Sequence, residues 1–348
     1  MSPMAKRAVR RPTGQHVLLA HGSGGRDMRR LVEGLIVPHF DNPMLAALDD
    51  QATLEIQGAR LAFTTDSFVV DPLFFPGGDI GRLAVNGTVN DLAMGGARPR
   101  YLSLSLILEE GFPLSDLERV LISVRRAADE SGVQIVTGDT KVVHRHSADK
   151  LFVNTSGIGE LAPGTRITAS GAVPGDRVLL SGTLADHGMA IMSCREGFEF
   201  QSPIESDTAG LWPLVEAMLT AAPGAIHAMR DPTRGGLATT LNEIAGQSRA
   251  GMRLREAAIP VTETVQSACE LLGLDPLYVA NEGKLVAVVA ADAAGTLLAA
   301  LRGHPLGRSA SLIGTVVEDE QAQVILETAV GGTRIVDILS GDPLPRIC

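Results

Sequence analysis

Four aspartates stand at the ends of strand-like or helix-like segments, beside small residues, where their carboxylates could act on one ligand. They are Asp66, Asp91, Asp139 and Asp231. Carboxylate oxygens are the hard ligands that Mg²⁺ prefers, so such a set could hold that ion against a triphosphate. Asp is also a frequent helix N-cap and turn former, and the long spacings between the four make no local metal signature. The residues alone leave both interpretations open.

A glycine-rich segment, His21-Gly-Ser-Gly-Gly25, precedes a helix predicted at about 26–37. Backbone N–H groups at the start of a helix can bind phosphate. The segment lacks the Gly-x-x-x-x-Gly-Lys-Ser/Thr pattern of a P-loop, and an ordinary flexible loop fits it equally well.

Glu282 and Lys141 have the side-chain types that proton transfer needs. Glu282 stands in Asn281-Glu-Gly-Lys284 before an apolar strand, and Lys141 follows Asp139 by two residues. A base and a cation beside a metal-bound phosphate are what the activation of an amide requires. Taken singly, both residues are more often solvated surface groups, so the sequence by itself favours that interpretation.

The chain has three cysteines, and one of them, Cys348, is its last residue. This low, odd number argues against a disulfide framework and favours a reducing compartment. Cys194 and Cys269 lie in apolar helical surroundings and are predicted to be small core residues. Before Cys348, two prolines within three residues exclude helix and favour an extended, mobile arm with few core residues, the alternative being a frayed terminus.

Around these residues, helical and strand patterns alternate over a length that predicts two domains of mixed α/β (α+β) architecture. The predicted limits are an N-terminal extension over 1–16, domains over 17–168 and 169–338, and a mobile tail over 339–348. Strands are predicted at 17–20, 60–70, 100–108, 133–137, 151–158, 177–180, 285–290, 311–317 and 335–338. Helices are predicted at 26–37, 80–94, 114–128, 186–195, 211–222, 235–246, 263–273 and 292–302.

The overall charge limits the partners of the protein. A formal net charge of −10 makes nucleic acid and an anionic membrane poor partners, although a phosphate can still bind locally. The Arg10-Arg11 pair is followed by only a short apolar stretch, so an export signal is not favoured and a cytoplasmic location is expected. No run approaches the ~18 apolar residues of a membrane span.

Several strings, spread over residues 17 to 348, together resemble one family. They are Leu19-Ala-His-Gly-Ser-Gly-Gly25, Thr64-Thr-Asp-Ser-Phe68, Asp71-Pro-Leu-Phe-Phe-Pro-Gly-Gly78, Asn90-Asp-Leu-Ala-Met-Gly-Gly96, Thr137-Gly-Asp-Thr-Lys-Val-Val143, Ser181-Gly-Thr-Leu-Ala-Asp-His-Gly188, Arg230-Asp-Pro-Thr-Arg-Gly-Gly236, Ala280-Asn-Glu-Gly-Lys-Leu285 and the terminal Pro345-Arg-Ile-Cys348. The chain thereby resembles the HypE family of hydrogenase maturation factors, in the AIR synthase superfamily.

The resemblance implies a homodimer, joined through the N-terminal domain sheets, that binds ATP and Mg²⁺. A HypF-like carbamoyltransferase would load Cys348, and ATP would then drive dehydration of the carbamoyl group to a thiocyanate. The cyanide would pass to the iron of [NiFe] hydrogenase through a HypC–HypD-like complex. Asp66, Asp91 and Asp231 match the metal carboxylates, and Glu282 and Lys141 match positions that assist deprotonation. The other residues implied at the ATP site are Asp50, Asp139, Asn90, Gly22, Gly24 and Gly25.

Two alternatives remain at this point. A selenophosphate-synthetase-like kinase of the same superfamily is expected to carry a Cys or selenocysteine near the N-terminal glycines, and this chain has no Cys before Cys194. A non-catalytic carrier that presents a thiol tail would turn over no ATP.

Overall fold

The computed structural model of this protein describes residues 16–40, 42–197, 203–339, 341, 344 and 346–348. The predicted extension up to residue 15 and the prolines Pro343 and Pro345 lie outside the described residues. The first described elements are a 3₁₀ turn (Leu19–Gly22), α1 (Arg26–Leu31) and a π-helical turn (Val32–Ile36). The strand predicted at 17–20 is wrong, because the amide N–H of Leu18 donates to Nδ1 of His21 and that of His21 donates back to the Leu18 carbonyl, which closes a turn.

A five-stranded sheet organises the N-terminal half. The strands of this half are β1 (Ala52–Ile56), β2 (Ala59–Phe68), β3 (Phe74–Phe75), β4 (Gly78–Asp79), β5 (Ala97–Glu109), β6 (Gln134–Val143) and β7 (Leu151–Leu161). The main sheet has the order β1-β2-β7-β5-β6, while β3 and β4 form a separate hairpin. Only β5 and β6 run parallel; the other neighbours are antiparallel.

One face of this sheet is covered by α2 (Ile80–Met94), on which α3 (Leu114–Ser131) packs. The side chain of Asp79 accepts hydrogen bonds from the amides of Gly81 and Arg82, which fixes the start of α2. The helix ends at Gly95-Gly96, where Gly96 has φ +76°. Because α2 lies between the sheet, α3 and the C-terminal half, nearly all of its residues are buried. Among the described residues, the opposite face carries exposed apolar side chains, including those of Phe63, Tyr101 and Ile158.

A seven-stranded sheet organises the C-terminal half. Its strands are β8 (Arg177–Leu180), β9 (Ile226–Arg230), β10 (Gly251–Arg255), β11 (Val286–Val289), β12 (Ser311–Val317), β13 (Val324–Glu327) and β14 (Thr333–Ile335). The order is β14-β13-β10-β12-β8-β11-β9, and only β10 and β13 pair in parallel. Its helices are α4 (Asp186–Glu196), α5 (Trp212–Ala221), α6 (Gly236–Ser248), α7 (Glu263–Leu272) and α8 (Ala294–Gly303). The apolar strands β8 and β11 lie in the interior of this sheet.

The two halves share one apolar core, which contains Phe68 and Val89 from the first and Leu180 and Val286 from the second. No regular element lies between Leu161 and Arg177, where the domain boundary was predicted; the domain limits stay a prediction. Among the described residues, no helix has both the length and the apolarity that a membrane span requires.

The described end of the chain is docked against this core. Leu344, Ile347 and Cys348 are 8%, 2% and 9% exposed and belong to the shared apolar cluster. The expectation that the tail holds few core residues is therefore wrong in this conformation. Of the two cysteines predicted to be buried in helices, Cys269 is buried but Cys194 is exposed, because Cys194 lies near the end of α4 on its outer side.

Candidate active site

A cavity of about 660 Å³ lies where the two halves meet. The glycine-rich loop contributes Gly24 and Gly25 to its wall, and the carboxylates of Asp50, Asp91 and Asp231 face it. The residues that lead into α6 complete the wall. The cavity therefore has the acidic groups and the close backbone approach that a metal–triphosphate ligand needs.

Three carboxylates converge in this cavity. Oxygens of Asp50, Asp91 and Asp231 all lie within 4.8 Å of one another. They come from the segment before β1, the last turn of α2 and the residue after β9. Asp66, in β2, accepts a hydrogen bond from Thr88 Oγ1 at 3.1 Å and contacts Asp91 from the side. The structure thus groups Asp50, rather than the predicted Asp66, with the other two.

The acidic groups strongly perturb one another. Burial, and then the charge of Asp50, raise the pKa of Asp231 to about 8. Burial and the charges of Asp66 and Asp231 hold the pKa of Asp91 well above its usual range. Carboxylates packed this closely cannot all ionise without a compensating cation. An all-oxygen donor set of this kind fits Mg²⁺.

Two arginines partly offset these charges. Arg230 Nε lies 2.8 Å from Asp50 Oδ1, and its Nη1 lies 2.7 Å from Glu243. Arg234 donates through Nη1 to the Gly22 carbonyl at 3.1 Å, and its ionisable neighbours are Cys348, Glu282, Asp66 and Asp91. Sequence reasoning did not single out Arg234, although it stands in the matched string Arg230–Gly236.

The predicted glycines allow close backbone contacts. A Cβ on Gly24, which has φ +76°, would lie 2.4 Å from the Arg234 carbonyl oxygen. One on Gly25 would lie 2.6 Å from the Leu339 carbonyl oxygen, which also accepts from the Arg26 amide at 2.8 Å. The loop is therefore held between the approach to α6 and the start of the tail.

The thiol of Cys348 meets Glu282 beside this cavity. Glu282 is 3% exposed, and its Oε1 has no hydrogen-bond partner in the described part of the chain. Burial raises the pKa of the Cys348 thiol to about 12, with the adjacent Glu282 carboxyl adding to the shift and Arg234 opposing it. Burial and the charges of Asp231 and Asp207 hold the pKa of Glu282 well above its usual range. Two predicted residues from distant parts of the sequence are thus in direct contact.

Asp207, which lies outside every matched string, holds the backbone of Glu282. Its oxygens accept from the amides of Glu282 and Gly283 at 3.0 and 3.2 Å. Lys284 Nζ lies 2.9 Å from Asp207 and 3.5 Å from Asp186. This buried ion cluster sets the direction of the Glu282 side chain, and no sequence signal pointed to Asp207.

Asn90, Asp139 and Lys141 are among the predicted residues that do not line the cavity in this chain. Asn90 is buried, and it donates to the carbonyls of Ala209 and Glu282 and accepts from the Leu211 amide, so it connects α2 to the C-terminal half. Asp139 and Lys141 form an ion pair of 2.8 Å on β6, both more than 60% exposed. Strands β7 and β5 separate β6 from β2, which carries Asp66.

The chain matches family models and known proteins along nearly all of its length. The model of the N-terminal domain of AIR synthase related proteins matches residues 48–161, and that of the C-terminal domain matches residues 173–327. A carbamoyl dehydratase HypE of Cupriavidus necator is 56% identical over 352 residues, covering 100% of both chains.

Solved structures agree with this relationship. A crystal structure of hydrogenase maturation protein HypE in complex with ATP has a TM-score of 0.81 at 52% identity, covering 96% of this chain and 100% of that one. A chain of a crystal structure of a HypE–HypF complex has a TM-score of 0.85 at 48% identity, covering 89% of this chain and 99% of that one. With both family models matched and this identity over the full length, the chain belongs to the HypE family of AIR synthase related proteins.

Proposed function

We propose that this chain uses ATP to convert a carbamoyl group on its own Cys348 into a thiocyanate. The contact between the buried Cys348 thiol and the Glu282 carboxyl, beside the acidic cavity, carries the proposal. A tail that only displayed a thiol to other proteins would not need a buried carboxyl against its sulfur. The name carbamoyl dehydratase that the Cupriavidus relative bears, and the ATP complex of the related structure, support the same reaction.

The chemistry must turn a poor leaving group into a good one. The carbamoyl oxygen attacks the γ-phosphorus of ATP and ADP departs, so that the oxygen becomes part of a phosphate leaving group. Loss of two protons from nitrogen and departure of inorganic phosphate then leave S–C≡N. The oxygen that the carbamoyl group loses is recovered in the phosphate, and the sulfur–carbon bond is never broken.

The acidic cavity binds the nucleotide in this proposal. Asp50, Asp91 and Asp231 would hold Mg²⁺, with Asp66 supporting Asp91, and the ion would neutralise the charge of the triphosphate. Gly24 and Gly25 let the backbone approach the phosphates. Arg234 lies between the acidic cluster and Cys348, where a cation stabilises the phosphoryl group as it moves to the carbamoyl oxygen.

Glu282 acts as the base toward the carbamoyl nitrogen. Its Oε1 is buried and without a partner in the described residues, so it is free to accept a proton from a ligand on the adjacent sulfur. Because its pKa is raised, the ionised carboxylate is a stronger base than an exposed glutamate. Arg234 stabilises that ionised form.

A homodimer formed through the open face of the N-terminal sheet would bring Lys141 to a second copy. Lys141 pairs in register with Ile107, and Tyr101 pairs with Ile158, on the face opposite α2. Ile107, Tyr101 and Ile158 are more than 40% exposed, so the described part of the chain leaves an apolar surface open on this face. Lys141 and Asp139 would then act beside the cavity of the second copy, while they remain remote from the cavity of their own chain.

The proposed partners follow from the reaction. A HypF-like carbamoyltransferase loads Cys348, in accordance with the HypE–HypF complex found for the related protein. A HypC–HypD-like complex receives the cyanide for its iron. Both exchanges require the tail to leave the docked position, because Cys348 is 9% exposed there.

Mass spectrometry of the C-terminal peptide tests the proposed reaction directly. The purified chain is incubated with a HypF-type carbamoyltransferase, carbamoyl phosphate and ATP, and the C-terminal peptide is analysed. Carbamoyl and thiocyanate forms of Cys348 differ by one water, about 18 mass units, so each can be counted. We expect the thiocyanate in the wild type and no modification in Cys348→Ala, which should still bind ATP. A wild type that stays carbamoylated in the presence of ATP would contradict the proposal.

A further inference from the structure

The last three residues of the chain are held through their main chain. An oxygen of the Cys348 terminus accepts from the Val69 amide at 3.1 Å, and the Arg346 carbonyl accepts from the Asp71 amide at 3.3 Å. The Arg195 guanidinium also donates to the Arg346 carbonyl. Between these contacts, the Ile347 carbonyl oxygen lies 2.8 Å from His187 Nε2. None of these bonds involves the sulfur, so what the sulfur carries does not alter them.

The hydrogen-bond directions at His187 follow from its two partners. A carbonyl oxygen only accepts, so Nε2 carries the proton that it donates to Ile347. Burial lowers the pKa of His187, which favours the neutral ring, and Nδ1 is then an acceptor. Ser206 Oγ lies 2.8 Å from Nδ1 and donates to it, while it accepts from the Thr208 amide at 3.2 Å. The Ile347 carbonyl therefore fixes the tautomer, and the Ser206 hydroxyl holds the other nitrogen of the ring.

The position of His187 is fixed relative to Glu282. The amide of Ala185 donates to the Asn281 side chain at 2.8 Å, and the amide of Gly188 donates to the Ala280 carbonyl at 3.0 Å. A Cβ on Gly188 would lie 2.4 Å from a methyl carbon of Val279. The start of α4 is thus pressed against the segment that ends at Glu282, and the histidine and the glutamate form one rigid unit.

We propose that His187 is a positioning residue that sets the register of the tail by holding the Ile347 carbonyl, so that the Cys348 sulfur meets Glu282. This role rests on the proposed function, because register matters only if the sulfur must be presented to a base. A slip of one residue would move the sulfur by about 3.3 Å, beyond the reach of a hydrogen bond to the carboxyl. Since the hold uses the backbone, it serves the free thiol and the loaded sulfur equally.

A matched pair of variants tests the role of the donor. His187→Gln keeps an N–H group near the position of Nε2, whereas His187→Met has a similar length and no donor. The first readout is the rate at which iodoacetamide alkylates Cys348, measured on the C-terminal peptide without ATP or partner proteins. The second is single-turnover conversion of carbamoylated Cys348 to thiocyanate. We expect H187M to raise the alkylation rate and lower the conversion rate by about tenfold each, and H187Q to restore most of both.

Two internal controls keep a loss of fold from imitating this result. Cys269 is fully buried and distant from the tail in sequence, so it should stay unmodified in every variant. Ser193→Ala alters another buried residue of α4, whose hydroxyl bonds only to the Met189 carbonyl, and should behave as wild type. Equal Cys348 alkylation in H187M and H187Q would overturn the proposal.

If Cys269 is also alkylated in H187M, that variant has lost its fold, and the variant Ser206→Ala is used to test the proposal instead. It keeps the imidazole but removes the hydroxyl that holds Nδ1 and orients the ring, so faster alkylation of Cys348 with Cys269 protected supports the proposal. Unchanged alkylation of Cys348 overturns it. The alkylation readout needs no dehydration, so it stands even if the proposed reaction fails in the wild type.

Discussion

Two buried aspartates flank Glu282, and their surroundings are opposite. Burial opposes ionisation of Asp207, but Lys284 and the amide of Glu282 hold its pKa below the usual range. Asp231 is equally enclosed, yet burial and the charge of Asp50 raise its pKa to about 8. Asp207 therefore has its counter-charge inside the chain, whereas Asp231 has no counter-charge there that is sufficient to keep it ionised.

This difference indicates that one group of charged residues stabilises the fold and the other is suited to bind a ligand. The Asp186–Asp207–Lys284 cluster is satisfied by the protein itself, so it can hold the Glu282 backbone in every state. The Asp50–Asp91–Asp231 cluster is crowded with like charges, so it gains most from a ligand that brings positive charge. Glu282 lies between the two clusters, with its backbone bound by the first and its carboxyl facing the second.

The largest effect is expected at Glu282 itself. Glu282→Gln retains the size and the backbone contacts with Asp207 but removes the basic oxygen. Loss of a general base costs about 10²–10⁴ in rate, so the variant should accept the carbamoyl group, bind ATP and accumulate carbamoylated Cys348. The mass of the C-terminal peptide over time measures the accumulation. Conversion at the wild-type rate would leave Lys141 or a bound water as the base.

A large loss of stability is expected when the satisfied cluster is broken. Lys284→Met leaves Asp207 and Asp186 without their cation, and removing one partner of a buried pair costs about 3–5 kcal/mol. Urea denaturation monitored by circular dichroism gives the free energy of unfolding. A change no larger than that of the variant Lys150→Met, which breaks the exposed pair with Asp71, would show that the Asp186–Asp207–Lys284 cluster stabilises the chain no more than a surface pair does.

A smaller effect of opposite sign is expected in the unsatisfied cluster. Because the pKa of Asp231 is raised, the native state keeps a proton that the unfolded state releases, and stability falls as the pH rises from about 4 to about 8. Asp231→Asn should therefore abolish most ATP turnover. Without nucleotide, the same variant should have a higher melting temperature than wild type, and that melting temperature should fall less between about pH 6 and pH 8. Asp207→Asn should lower the melting temperature, because the pKa of Asp207 is depressed and its ionised form stabilises the native state at neutral pH. If the melting temperatures of wild type and Asp231→Asn changed with pH in the same way, Asp231 would not differ from Asp207 as described.

The smallest effect on stability is expected at Lys141. Its pair with Asp139 is exposed, so Lys141→Met should leave the melting temperature of the chain unchanged, as is usual for surface pairs. The same variant should slow thiocyanate formation if a second copy brings this lysine to the cavity. Mixing Lys141→Met with Glu282→Gln tests the arrangement, because a mixed dimer would retain one cavity with both side chains intact. Full activity of Lys141→Met alone would exclude the lysine from the reaction.

Local sequence was sufficient for much of the fold. The helix at 80–94 was predicted with its observed limits, because Asp79 caps its start and Gly95-Gly96 ends it. The strands β1, β3, β4, β9, β10 and β13 were not predicted, since each has five residues or fewer and is too short to show a sustained pattern. Their pairing with neighbouring strands, rather than intrinsic propensity, makes them strands.

The candidate site, like the fold, has features that local sequence predicts and features that only the tertiary structure decides. The sequence by itself determined the inventory: the aspartates, the glycine-rich loop, Glu282 and a cysteine that ends the chain. Only the tertiary structure decided that Asp50 joins Asp91 and Asp231, that Asp207 and Lys284 support Glu282, and that Cys348 is docked rather than free. Each of these contacts joins residues far apart in the chain, and local patterns carry no record of which distant carboxylate has a counter-charge. That pairing is settled only when the two halves pack together and exclude water from the groups between them.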